Sequence, residues 1–408
     1  MKIIILSDYA FINGGNAQIA LSTAVALAKK NYSVTLFAGV GPVANFLKNI
    51  PNLKVICLNQ YDILSDPNRM RAIINGLWNF KARREFKFLL KNFDTKNTII
   101  HIHSCSKVLS SSCIQIANKM GFKMLYHLHD YGIACPNMGF YNYRQQKICR
   151  LNPLGMKCIM TNCDSRHYIH KVWRIVRQWI QKNIGGMPKN LNYIYISYFS
   201  YNILKPFLNK NNEAYYVSNP IDIEKKDRIE VEKNKEFVFI GRLVPEKNPI
   251  LLAKVAKKMK LSVTFIGSGP CENEIKDIYS SAKITGWIDK NEIEKILKKA
   301  RCLVFPSNWY EGQPLVVLEC LAKGIPCISS QNCASSESIM DNKTGLLFEN
   351  NNFNDLKTKI EKCNNDEFVK LLSKNAYNYY WDRNYTIDEY VSRIIYIYTK
   401  TLENYLDR

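Results

Sequence analysis

Acidic side chains are scarce in the first half of this 408-residue sequence. Residues 1–221 hold 8 Asp+Glu against 28 Lys+Arg, whereas the rest hold 27 against 29, so the net charge of +22 sits almost wholly on one half. Such an excess suits a surface for phosphates, acidic glycans or an anionic membrane. A compositional drift toward Lys in an Asn/Ile/Lys-rich chain would produce it as well. Long hydrophobic runs are also missing, none approaching the roughly 18 residues of a membrane span. The opening MKIIILSDYAFINGG has one Lys and an apolar run too short and wrongly followed for a signal peptide, so it reads as a buried strand. The expected setting is cytoplasmic. The 13 cysteines are odd in number and dispersed, unlike a secreted disulfide framework. No nucleic-acid module or basic-aromatic stacking motif is recognisable, which disfavours the nucleic-acid-binding role that charge alone would allow.

What is present is an alternation of strands and helices. KIIILSDY is followed by a glycine turn, an Ala-rich amphipathic helix and the strand SVTLFAG, with NTIIHIHS, KMLYHLHD and NYIYISYFS as later strands. The same grammar restarts after DIEKKDRIEVEKNKE, with FVFIGRL, LSVTFIGSG, AKITGW, CLVFPS and PCISS. This pattern predicts an α/β chain of two doubly wound, Rossmann-like domains, hinged at about 212–235, with ligands bound between the carboxyl ends of their sheets. The expected limits are 1–218, 219–382 and a terminal helix over 383–408 packing back toward the first domain.

Two stretches of the second half concentrate chemistry. In GRLVPEKN, Arg242 and Lys247 flank a short turn after a strand, and two cations there suit a diphosphate. In EGQPLVVLE, Glu311 and Glu319 bound an otherwise uncharged segment. Pro314 is expected as the first helical residue, leaving Glu311 and Gly312 in the preceding loop and the backbone N–H groups near 313–316 facing the cleft. Carboxylates there suit sugar hydroxyls. In YHLHD, a lone histidine after a strand is more often structural. His127 is expected to face away from His129 and to be structural.

With FIGRLVPEKN, FIGSGP, ITGW, VFPSNWYEGQPLVVLECLAKGIPCISS and TGLLF in this order, the C-terminal half resembles the retaining GT-B glycosyltransferases of family 4 (glycosyl transferases group 1). The likeness is strongest over 219–385 and looser in the first half, through NGGNAQIALSTAVALAKKNYSVTLF, LHD and SNPID. The resemblance implies that Arg242 and Lys247 hold the diphosphate of a UDP- or GDP-sugar, that Glu319 binds the ribose and that Glu311 contacts the donor sugar. It places Gly312 and the N–H groups of Gln313, Leu315 and Val316, next to Pro314, around sugar and phosphate. Gly286 and Trp287 would lie near the base, and Gly14 and Gly15 near phosphate and acceptor. His129 would stabilise the reacting sugar or position the acceptor. Gln313 stands where a bulky apolar residue is common, a departure that bears on sugar preference. The implied activity is a metal-independent hexosyltransferase acting on a glycan or lipid-linked glycan, as in capsule, O-antigen or exopolysaccharide synthesis. No Asp-x-Asp of the metal-dependent fold occurs, and no cofactor is implied. An inactive scaffold of the same fold is the competing reading.

Two further features stand outside these motifs. Cys135, Cys149, Cys158 and Cys163 fall within 29 residues at spacings unlike a standard zinc ribbon, so they read as a structural zinc or iron–sulfur site, as reduced thiols, or as disulfides if the chain meets oxidant. In residues 167–185, Ile169, Val172, Trp173, Val176, Trp179 and Ile180 share one helical face, with Lys171, Arg174, Arg177 and Lys182 opposite. Such a helix either lies on an anionic membrane, here the inner face of the cell membrane, or packs on the core with its basic face solvated.

Overall fold

Segments with uninterrupted apolar character become strands buried on both faces, and the amphipathic segments between them become covering helices. The computed structural model describes residues 1–186, 191–383 and 385–403. The first half contributes β1 (Lys2–Tyr9), β2 (Ser33–Val40), β3 (Leu53–Cys57), β4 (Thr98–Ile102) and β5 (Lys123–Leu128). After a short antiparallel hairpin of β6 (Tyr141–Asn142) and β7 (Lys147–Ile148) come β8 (Leu191–Tyr195) and β9 (Ala214–Tyr216). Seven of these form one parallel sheet ordered β3-β2-β1-β4-β5-β8-β9.

The second half contributes β10 (Glu236–Ile240), β11 (Val263–Ile266), β12 (Lys283–Ile284), β13 (Ala300–Phe305), β14 (Cys327–Ser330) and β15 (Gly345–Phe348), in a parallel sheet ordered β12-β11-β10-β13-β14-β15. Each sheet reverses its winding once, between β1 and β4 and between β10 and β13. Loops leaving the carboxyl ends diverge at such a point and open a crevice.

One apolar core surrounds the second sheet, and one lies on each face of the first. The helix Asp366–Trp381 packs into the second core through Val369, Leu372 and Ala376. The terminal helix Ile387–Glu403 instead closes the first sheet through Tyr390, Ile394 and Tyr398. The end of the expected helix, 404–408, lies outside the described residues. The chain thus passes between the halves twice, and the two passages touch where Ile221 N–H donates to the Tyr385 carbonyl at 3.1 Å.

The helix Tyr168–Asn183 does not pack with a solvated basic face. Its apolar stripe points out, with Ile169 72% and Trp179 53% exposed and Val172 and Val176 also exposed, while Lys171, Arg177, Gln178 and Gln181 are buried. The inward polar groups find acceptors on irregular chain beneath them. Gln178 donates to the Ile133 carbonyl at 2.7 Å, Gln181 to that of Gly132, and Arg177 to those of Ser106 and Pro136. That segment offers unpaired carbonyls instead of apolar surface, so the polar side of the helix satisfies it.

Candidate active site

Arg242 leaves the carboxyl end of β10, and Lys247 closes the single helical turn Pro245–Lys247. The Lys247 ammonium lies 5.3 Å and 5.9 Å from the ring centres of Phe305 and Trp309 and forms an ion pair with Glu311. Glu311, only 8% exposed, also accepts from Ser307 Oγ at 2.8 Å and Trp309 Nε1 at 2.7 Å. Three donors, one of them charged, offset the cost of burying this carboxylate. All three fall on Oε1, so Oε2 is the oxygen left to accept from a ligand. The Arg242 side chain is 66% exposed, with Glu246 its nearest acid at 3.7 Å, and is free to turn toward an anion.

The loop after Glu311 joins the halves. A Cβ at Gly312 would stand 2.9 Å from the His129 carbonyl oxygen, so only glycine lets the two backbones approach this closely. Ser197 Oγ donates to the Gly312 carbonyl at 2.7 Å, and a Cβ on Gly15 would lie 3.8 Å from Leu315 Cδ1. Gln313 is committed to the connection between domains: its amide donates to Ser218 Oγ at 2.7 Å and accepts from Asn219 N–H at 2.8 Å. Pro314 is not the first helical residue. Its backbone is extended and it caps the helix Leu315–Ala322 from outside. The Leu315 and Val316 N–H groups at that start are those a phosphate could reach.

Glu319 lies on this helix. Burial pushes its carboxyl pKa up, while Lys290 and Lys323 pull it back. Gly286, with φ 69°, takes up the Gly267 N–H through its carbonyl at 3.0 Å, which brings the β11 and β12 ends together and leaves Trp287 83% exposed beside them.

On the other wall, His129 does not stand alone, and His127 does not face away from it. Residues two apart on a strand share a face, and their rings stack with centres 4.0 Å apart. His101 and His103, at the end of neighbouring β4, have ring centres at the same spacing with the rings tilted by 42°. His103 Nδ1 and His129 Nε2 share a hydrogen bond of 2.9 Å, His101 Nε2 and His127 Nδ1 one of 3.2 Å, and the Tyr398 hydroxyl meets His101 Nδ1 at 2.7 Å. A column of four imidazoles therefore runs from the cleft to the terminal helix. Burial holds all four neutral, pushing the pKa of His101 and His129 down to about 3 and those of His103 and His127 well below the usual value. Three of them, His101, His103 and His127, bring ring nitrogens within 4.8 Å of one another. A dication among neutral imidazoles in this interior would carry a large desolvation cost. Asp130, next in the chain, accepts from Gly132 N–H at 2.8 Å and from Asn16 at 3.4 Å.

These walls enclose a cavity of about 300 Å³ that brings together Gly15, His129, Arg242, Glu311, Gly312, Gln313 and Leu315. Gly14, Lys247, Gly286, Trp287, Pro314 and Glu319 do not line it. A larger hollow of about 550 Å³ beside Glu236, Thr264 and Lys283 contains none of the candidate residues. Sequence reasoning passed over Asn16, Tyr131 and Met138 on the first wall and Trp309 and Tyr310 on the second. Trp309 and Tyr310 directly precede Glu311, Asn16 follows Gly15 and Tyr131 follows YHLHD, so adjacency was the available signal; Met138 carried none.

Two parallel Rossmann-like sheets facing across such a crevice are the GT-B fold. Residues 220–379 match the family model described as glycosyl transferases group 1. The chain is 30% identical over 188 residues to an Escherichia coli enzyme, UDP-Gal:alpha-D-GlcNAc-diphosphoundecaprenol alpha-1,3-galactosyltransferase. The match covers 40% of this chain and spans about half, 48%, of that enzyme. Among solved structures, sucrose-phosphate synthase from Thermosynechococcus elongatus superposes with a TM-score of 0.71 at 16% identity over 99% of both chains. Anabaena HepE, solved in complex with UDP, gives 0.65 at 14% identity over 98% of this chain and 100% of its own. The family match thus lies within the second half of the chain, and the structural neighbours share its GT-B fold over nearly the whole length.

Proposed function

We propose that the chain is a retaining, metal-independent glycosyltransferase that moves a hexose-type sugar from a UDP- or GDP-sugar to a glycan or lipid-linked glycan acceptor during cell-surface polysaccharide synthesis. The observation that carries this reading is the buried Lys247–Glu311 pair beside Arg242 and the helix start, opposite His129. Arg242 and Lys247 meet the donor diphosphate, with the Leu315 and Val316 N–H groups adding partial positive charge. Glu311 Oε2 accepts from a sugar hydroxyl, and Glu319 takes the ribose hydroxyls. As the bond from sugar C1 to phosphate oxygen breaks, negative charge grows on the leaving diphosphate, where these cations are already placed. The acceptor oxygen bonds C1 on the same face, and its proton passes to the leaving phosphate oxygen. His129, kept neutral by burial, orients the reacting groups and takes no proton.

The UDP bound by HepE favours a UDP-sugar, and the lipid-linked acceptor named for the E. coli relative favours an acceptor held at a membrane. The outward apolar stripe of Tyr168–Asn183, on a half rich in Lys and Arg, supports docking on the inner face of an anionic membrane. No helix among the described residues is long and apolar enough to cross one. The test is a screen of UDP- and GDP-sugars for thermal stabilisation and transfer, with the product anomer assigned by NMR. A donor sugar should raise the melting temperature and yield a product of unchanged anomeric configuration. No response to any nucleotide sugar would overturn the assignment, and an inverted product would overturn retention.

A further inference from the structure

Residues 131–167, between β5 and the helix Tyr168–Asn183, fold with little regular structure beyond the β6–β7 hairpin and the five-residue helix Met156–Met160. The four cysteines of this insertion are free thiols. Among the described residues no three of their sulfurs lie close enough to share one metal ion. The Lys171 ammonium stands between Cys158 and Cys163, 3.4 Å and 3.2 Å from their sulfurs. The insertion does, however, reach the second half of the chain.

Its tip is built under strain. Met138 and Phe140 hold left-handed backbone, with φ 64° and 46°, which costs a residue with a side chain about 1–2 kcal/mol. Such strain persists only where the surroundings impose it, and it gathers at functional sites. Here Met138 N–H donates to the Cys135 carbonyl at 2.9 Å, Asn137 Nδ2 to the Cys163 carbonyl at 2.7 Å, and Arg174 to Asn137 Oδ1 at 2.5 Å. Gly139, between the two strained residues, has no left-handed φ of its own, so contact and not conformation calls for glycine there. A Cβ on it would stand 2.9 Å from Trp309 Cζ3 and 3.1 Å from Cε3. Beside this contact the Asn308 amide donates to the Gln146 carbonyl at 3.4 Å. Met138 and Trp309 both line the cavity of about 300 Å³. The opposite edge of the indole is engaged as well, with Nε1 donating to Glu311 Oε1 at 2.7 Å.

We propose that Gly139 seats the Trp309 indole and that Trp309 is thereby a positioning residue for Glu311, so that the insertion of the first half completes the donor-sugar site of the second. This rests on the reading of Glu311 as a contact to the donor sugar. A rigid ring links the Gly139 backbone to one carboxylate oxygen and leaves Oε2 to the ligand. Gly139 and Trp309 belong to different halves, so parting of the halves withdraws the seat, and Glu311 is fully set only when the cleft is closed.

Indole ¹⁵N–¹H NMR of the full chain tests the contacts without turnover. The signal lost in Trp309→Phe belongs to Trp309, and it should shift in both Glu311→Gln and Gly139→Ala. A signal that ignores either substitution would overturn the linkage. If Gly139→Ala does not fold, a wild-type NOE from the Gly139 α-protons to the Trp309 ring decides, and its absence removes the seat. Kinetics test the positioning. Trp309→Phe and Gly139→Ala should each lower transfer about 10-fold, while thermal stabilisation by UDP or GDP alone stays at the wild-type level. Phenylalanine removes the ring edge that the new methyl would meet, so Gly139→Ala should cost nothing further in the Trp309→Phe background. Equal losses in both backgrounds, or wild-type transfer by Trp309→Phe, would overturn the positioning role. A wild-type chain that transfers no sugar would strike the proposed function alone, since the indole signal still decides whether Gly139 and Glu311 share Trp309.

Discussion

The second half of the molecule places Arg242, Lys247, Glu311 and the Leu315–Ala322 helix in two loops at the ends of β10 and β13, above a core of ordinary apolar residues. The first half builds its wall from Gly15 and Asn16 and, far from them in sequence, His129, and sets buried polar groups among its two apolar cores. All six histidines of the chain lie there, four of them in the buried column. On the proposed function, donor recognition is compressed into contiguous motifs, while the acceptor side depends on long-range packing and an inverted helix. That contrast makes the two halves separable by experiment.

The largest effect is expected on the donor side. Glu311→Gln keeps acceptors for Ser307 and Trp309 but removes the charge facing Lys247, and should lower transfer by at least about 100-fold with the fold retained. Near wild-type turnover would break the donor-side reading. Gly312→Ala tests the seam between the halves. The added methyl would meet the His129 carbonyl at 2.9 Å, and the forced shift should cost about 1–3 kcal/mol with a measurable loss of kcat/KM. Unchanged values would mean that the halves do not need this close approach.

Mild acid should act on the first half before the second, whose depressed carboxylates, Glu232 and Asp366, give way only at lower pH. The column's histidines have folded-state pKa values below the unfolded 6.5, so their contribution to stability is full above pH 6.5 and is lost as pH falls toward about 3. At pH 5 each of His101 and His129 should cost about 2 kcal/mol. Hydrogen exchange should then rise in β4, β5 and the terminal helix before the second sheet, and simultaneous opening of both would contradict this. The smallest effect on the isolated protein is expected from Val176→Ser/Trp179→Ser, within about 0.5 kcal/mol on stability. The same variant should lose most flotation with anionic liposomes, and flotation indifferent to it or to lipid charge would remove the membrane face.

Both sheets and most of their strands were legible in the sequence because central strands are continuous apolar runs. The strands not read as such, β3, β9 and β15, are all sheet edges; β3 and β9 are only half-covered, while β15 is four residues long and mostly buried. Arg242, Lys247 and Glu311 were legible as a group, but their direct pairing was not, since spacing fixes a loop and not the rotamers in it. Periodicity divided residues 167–185 into two faces correctly. It could not say which face turns inward, because that depends on the carbonyls of residues 132–136 beneath. His127 was misplaced by a parity error, and its stacking on His129 needs only the two-residue repeat of a strand. Gln313 was noticed for its type, yet its partners, Ser218 and Asn219, lie some 94 residues away in the chain.

The bond from Ile221 to Tyr385 makes the two interdomain passages a pair of pins on one door. Relative motion of the halves is then a swing about the line through that point, with the greatest travel at the far rim of the cleft. Away from the pins, Ser197 Oγ donates to the Gly312 carbonyl, the Tyr198 and Phe199 N–H groups to Glu337, and the Asn308 amide to the Gln146 carbonyl, while the Gln313 amide on Ser218 and Asn219 sits beside the hinge. Each neutral bond is worth about 1 kcal/mol and those to the carboxylate about 1.5–3, so the door is held by a few separate catches, each of which can release without either sheet being disturbed.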